Sequence, residues 1–76
     1  TINLYPNPTN DVINISSDKE QLQKLELYNI AGSLIFKTDI NANTYALNIA
    51  NYPSGTYLLR VSSQNNIITN TKIIKE

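Results

Sequence analysis

The chain has no cysteine, histidine, methionine or tryptophan, and only two glycines among its 76 residues. Each absence excludes something. Without cysteine there is no disulfide and no thiolate metal site to staple a small domain, so stability has to come from one apolar core. With histidine missing as well, the usual nucleophile–base pairs cannot be assembled. Gly32 and Gly55 stand too far apart to build a phosphate-cradling loop. The formal net charge is zero, from six basic and six acidic residues scattered along the chain. Nucleic acid and anionic membranes both call for a concentrated cationic surface, so neither is an expected partner. The apolar runs are too short for a transmembrane segment. No leader-like stretch opens the chain, and the missing methionine adds to the expectation of a single domain, residues 1–76, excised from a longer protein.

What is present is alternation. Hydrophobic residues make up 41% of an 8.5 kDa chain, enough for one compact core. They recur at period two in short runs bounded by polar or turn residues, the pattern of an all-β sandwich or barrel. Residues 2–5 form the first run, and Ile13 and Ile15 share a face in the second. Leu25 and Leu27 alternate with Lys24, Glu26 and Tyr28. In residues 33–40, Leu34, Phe36 and Ile40 are expected on one side, Lys37 and Asp39 on the other. Tyr45, Leu47 and Ile49 make a fifth run, Tyr57, Leu59 and Val61 a sixth, and residues 67–75 a seventh. Residues 18–22 read as a loop between the second and third strands.

The connections fit tight turns. Asparagine occurs twelve times and takes over turn positions that glycine would otherwise fill. Asn29-Ile30-Ala31-Gly32 places Gly32 where a type I turn with a following bulge needs positive φ. Tyr52-Pro53-Ser54-Gly55 fixes φ early with proline and releases it late with Gly55. Asn41-Ala42-Asn43 and Gln64-Asn65-Asn66 are expected to join strands that pair antiparallel. Seven short strands with one apolar face each then predict two facing antiparallel sheets, an immunoglobulin-like seven-stranded β-sandwich.

The sequence offers little to chemistry. Asp18 and Glu20 are the only closely spaced carboxylates that suit a glycosidase pair, and they sit in a polar loop expected to be solvated. Asn7, Asn10 and Asp11 cluster around a turn, but one charge and the wrong spacing favour turn capping over calcium. Asn14-Ile15-Ser16 matches a glycosylation pattern inside a strand, a chance match in a chain so rich in asparagine. Tyr45 and Tyr57 share parity with the core, which leaves Tyr28 as the ring expected to be exposed. No catalytic residue, cofactor or metal is predicted.

Three stretches in order, Leu4-Tyr5-Pro6-Asn7-Pro8, the run from Leu47 through Tyr52-Pro53-Ser54-Gly55-Thr56-Tyr57 to Val61, and Thr71-Lys72-Ile73-Ile74-Lys75, resemble the type A C-terminal sorting domain of the Bacteroidetes type IX secretion system. Between them "KLELYNIAGSLIF" resembles that family's central hairpin, with Asn29 where the family usually has Asp. The resemblance covers nearly the whole chain. It implies a seven-stranded β-sandwich on a secreted protein, which passes through the periplasm of a Gram-negative bacterium. There it is recognised by the type IX translocon at the outer membrane, and a surface sortase cuts it from its cargo. The domain is then an address label and not an enzyme, and its cargo ends secreted or on the cell surface. Pro6 and Pro8 remove two backbone donors and push Asn7 toward extended geometry, leaving a stiff corner after the first strand. Lys72, Ile73, Ile74, Lys75 and Glu76 are the foremost candidates for translocon recognition, with Pro6, Asn7 and Pro8 beside them. Tyr5, Gly32, Gly55 and Tyr57 are expected to serve the structure. The terminal strand can offer its edge to a partner, or to a second copy as a route to dimerisation. Two rival readings stay open: a carbohydrate-binding or adhesive accessory module of a surface enzyme, and a spacer with no ligand.

Overall fold

Side chains that alternate along a strand point to opposite faces, so each apolar run buries one face and exposes the other. The structure is a computed structural model describing residues 2–5, 11–64 and 68–76. Its seven strands are β1 (Ile2–Tyr5), β2 (Val12–Ser17), β3 (Leu22–Asn29), β4 (Leu34–Ala42), β5 (Thr44–Asn48), β6 (Gly55–Ser63) and β7 (Ile68–Lys75). They form a three-stranded sheet in the order β1-β2-β5 and a four-stranded sheet in the order β4-β3-β6-β7. Every pairing is antiparallel.

The core lies where the two apolar faces meet. Ile13, Ile15, Leu47 and Ile49 come from the smaller sheet and its exit; Leu22, Leu25, Leu27, Tyr57, Leu59, Val61 and Ile73 come from the larger. In the middle of the larger sheet Leu25 pairs with Val61 and Leu27 with Leu59, so two buried rows cross directly between the central strands. Full burial of such a side chain stabilises by about 1.5–3 kcal/mol, which makes this layer the main source of cohesion.

Four local expectations are corrected. Residues 41–43 do not join paired strands: β4 lies in the larger sheet and β5 in the smaller, and Asn43 alone separates them. Asn41 takes a φ of 55° at this corner. The composition of a corner and of a hairpin turn is the same, and only the face that β5 must bury against decides between them. Leu34 does not face the core but is 48% exposed. A register shift between Leu27 and Tyr28 pairs Leu27 with Phe36 and Tyr28 with Leu34, so Ile35 is an extra residue and parity flips there. Ile35, Phe36 and Ile40 pack against the core instead. Leu22 belongs to β3 and is fully buried, because a second shift between Leu22 and Lys24 turns it inward along with Leu25. Glu20 is half-buried, and its Oε2 accepts a hydrogen bond of 2.9 Å from the hydroxyl of buried Ser63.

Glu20 belongs to a polar clasp at one end of the sandwich. The Asn43 amide donates to the Glu20 carbonyl at 3.2 Å, and its own carbonyl accepts from the Ser17 N–H at 2.9 Å. The Gln64 N–H donates to the Gln21 carbonyl at 2.9 Å. The β2–β3 and β4–β5 crossings and the start of the β6–β7 connection are thereby tied together.

Replacing Leu27 by Ala is expected to cost about 2–5 kcal/mol, a large share of the roughly 5–15 kcal/mol of a typical native domain. Urea unfolding of the variant measures it; a cost near zero would show that this row is not central.

Candidate functional site

The other end of the sandwich gathers the motifs. Antiparallel pairing places the end of β1 and the end of β5 beside the start of β2, with Tyr5 opposite Asn14 and Asn48 opposite Val12. The Ile49 N–H donates to the Asp11 carbonyl, and Tyr52 N–H to the Ile49 carbonyl at 3.0 Å, so the chain folds tightly as it crosses to β6. There Gly55 pairs with Lys75, and Asn29 pairs with Tyr57. Tyr5, the β3–β4 turn, the Tyr52-Pro53-Ser54-Gly55 turn and the end of β7 therefore share one pole, opposite the clasp. Pro6, Asn7 and Pro8 lie outside the described residues; the two flanking residues that are described, Tyr5 and Asp11, belong to this pole.

Each turn is held from within. The Asn29 Oδ1 accepts from the N–H groups of Ala31 and Ser33, both at 3.0 Å, and the Gly32 N–H donates to the Asn29 carbonyl at 2.9 Å. Gly32 has a φ of 89° and Gly55 one of 147°, backbone that a side chain would strain although nothing crowds the missing Cβ. Tyr57 is buried, and its hydroxyl donates to the Pro53 carbonyl. The Tyr52 ring leans on the Tyr57 ring at 6.2 Å between centroids. One contact was not signalled by the sequence: the Ser54 hydroxyl donates to the Glu76 carbonyl at 3.2 Å, pinning the end of the chain to the turn. A hydroxyl just before a turn glycine was the available hint.

The run from Lys72 to Glu76 divides by face. Among the described strands β7 comes last in the order of its sheet, beside β6. Ile73 turns inward and is 1% exposed, so its side chain serves the core and only its backbone lies along the sheet edge. Lys72, Ile74 and Glu76 are exposed, and Lys75 is half-buried. Tyr28 is half-buried on the outer face, less open than its parity suggested, and Tyr45 is half-buried against the core. Tyr5 is the more exposed ring, at 56%, beside a shallow depression of about 320 Å³ lined also by Asn14, Ser16, Thr44 and Ala46. Among the described residues no group of three or more His, Cys, Asp or Glu side chains is placed to hold a metal ion.

Residues 3–76 match the family described as the secretion system C-terminal sorting domain. The chain belongs to this family. It is a sorting signal of type IX secretion, which implies contact with the secretion machinery and export of its carrier to the outside or the surface of the cell. The sorting domain is 32% identical over 75 residues to an ulvan lyase of Nonlabens ulvanivorans and 28% identical over 74 residues to an endo-acting ulvan lyase of Formosa agariphila. These matches cover 97% and 96% of the sorting domain but only 14% of each lyase. A crystal structure from Bacteroides vulgatus with an immunoglobulin-like β-sandwich fold superposes with a TM-score of 0.83 at 16% identity. It covers 99% of the sorting domain, which covers 84% of it, and it bears out the expected fold. No helix among the described residues is long and apolar enough to cross a membrane.

Two substitutions test the pole. Gly55→Ala is expected to destabilise by about 1 kcal/mol or more through backbone strain alone, and wild-type stability on thermal unfolding would remove that reading. Tyr57→Phe is expected to cost about 0.5–1.5 kcal/mol, the net worth of one hydrogen bond, with the same fold by circular dichroism.

Proposed function

We propose that the domain, residues 1–76, is an address label, without catalysis of its own, carried by a larger secreted protein. Its cargo crosses the periplasm of a Gram-negative bacterium, and the folded domain is received by the translocon at the outer membrane and then cut away by a surface sortase. The observation that carries this reading is convergence. Tyr5, the Pro53–Gly55 turn and the end of β7 belong to the three separate stretches that mark the family, yet they meet at one pole beside a sheet edge.

Within that pole Lys72, Ile74, Lys75 and Glu76 are the side chains proposed to meet the translocon; Pro6, Asn7 and Pro8 are proposed beside them from the sequence. Addition of a partner strand at a sheet edge, or pairing of two copies there, is proposed as a further route of association. Lysines along such an edge discourage indiscriminate pairing and select a partner strand with carboxylates. Truncating the run would also remove buried Ile73, so substitution is the cleaner probe.

A reporter with residues 1–76 at its C-terminus is expected to reach the surface or medium of a type IX-competent host and to stay inside a host lacking the translocon. Lys72→Glu with Lys75→Glu is expected to trap it in the periplasm with little change in thermal midpoint. Equal export from both hosts overturns the sorting reading; normal export of the double variant removes the lysines from it.

A further inference from the structure

The outward face of the four-stranded sheet is divided into an apolar half and an ionic half. Register aligns Leu34, Tyr28, Leu58 and Lys72 in one row across β4, β3, β6 and β7. Ile74 follows Lys72 on the same face, diagonal to Leu58 and opposite Thr56. Leu34, Leu58 and Ile74 are 48%, 46% and 45% exposed, and Tyr28 is half-buried between the two leucines. Toward the clasp the next rows are Lys37, Glu26, Arg60, Asn70 and then Asp39, Lys24, Ser62, Ile68. Glu26 and Arg60 stand 4.0 Å apart there. The apolar half lies at the pole that holds the family motifs.

Single exposed leucines are ordinary on a protein surface, but a contiguous strip of large apolar side chains marks an interaction site. The charge on this face says with what. Lys24, Lys37, Arg60 and Lys72 stand against Glu26 and Asp39, so the rows carry 4 − 2 = +2 while the whole chain carries zero. Two copies laid face to face would oppose like charges, whereas a partner whose apolar ridge is rimmed by carboxylates would be complementary. We propose that this strip, Leu34, Tyr28, Leu58 and Ile74, is a docking surface for an acidic-rimmed protein of the secretion machinery, distinct from the strand edge and continuous with it. The inference rests on the sorting role proposed above and names the surface through which part of it is exercised.

The test uses the same reporter fusion with Leu34→Thr, Leu58→Thr and Ile74→Thr combined. Threonine keeps the preference for strand, and the replaced side chains are not core residues, so the domain is expected to melt as the wild type does. Export is expected to fall roughly tenfold or more, the loss that follows truncation of several interface anchors. Asn70→Ser with Ser62→Thr, on the ionic half, is expected to export normally. Wild-type export of the triple variant, from a host in which the unaltered fusion needs the translocon, overturns this inference alone. Failure of the unaltered fusion to be exported overturns the sorting role and this inference with it. Should the triple variant not fold, a photo-crosslinking benzoylphenylalanine at position 58, in place of Leu58, decides. It is expected to capture an identified translocon protein that the same probe at Ser62 does not capture. Capture of a second sorting domain, or no difference between the two positions, overturns the proposal.

Discussion

Everything in this domain hangs on the double row at the centre of the larger sheet, where Leu25 meets Val61 and Leu27 meets Leu59, none more than 1% exposed. These pairs fix the register of β3 against β6, and a one-residue slip would turn every buried side chain of one strand outward. Ile13 and Ile15 close over them from the smaller sheet. With no disulfide available, this contact layer sets the spacing of both sheets and so the position of every turn.

The two ends of the sandwich are finished differently. At one end Glu20 is joined to Asn43 and Ser63, and Gln21 to Gln64, across the β2–β3 and β4–β5 crossings, leaving a polar clasp. At the other end Asn29 caps the β3–β4 turn and Tyr57 reaches back to Pro53 within their own turns, while Ser54 holds Glu76 at the end of β7. A turn stabilised locally keeps its shape without help from a neighbour and leaves its outer surface open to a partner. The outward face of the larger sheet repeats the division, with its charged rows toward the clasp and its apolar row toward the motifs.

Strand number, strand order along the chain and most core residues were legible in the sequence, because a period of two states which side chains share a face. So were the turns at Gly32 and Gly55, since few residues other than glycine accept the φ found at either. The misplaced residues have one cause. Leu22 and Leu34 both lie next to register shifts, and an extra residue reverses parity in a way that alternation cannot display. The candidate site was half legible: the run ending in Glu76 was visible, but its division into inward Ile73 and outward Lys72 and Ile74 needed the register with β6.

Local patterning by itself determined that this chain would be paired ribbons around an apolar layer, and its ordered motifs determined the family. Only the tertiary structure decided that β4 and β5 part into different sheets, that Leu34, Tyr28 and Leu58 align into one exposed strip, and that three distant motifs meet at one pole. The reason is physical. Side-chain alternation is set between neighbouring residues, whereas sheet membership, register and convergence are set by which faces can be buried together, a choice made among segments tens of residues apart.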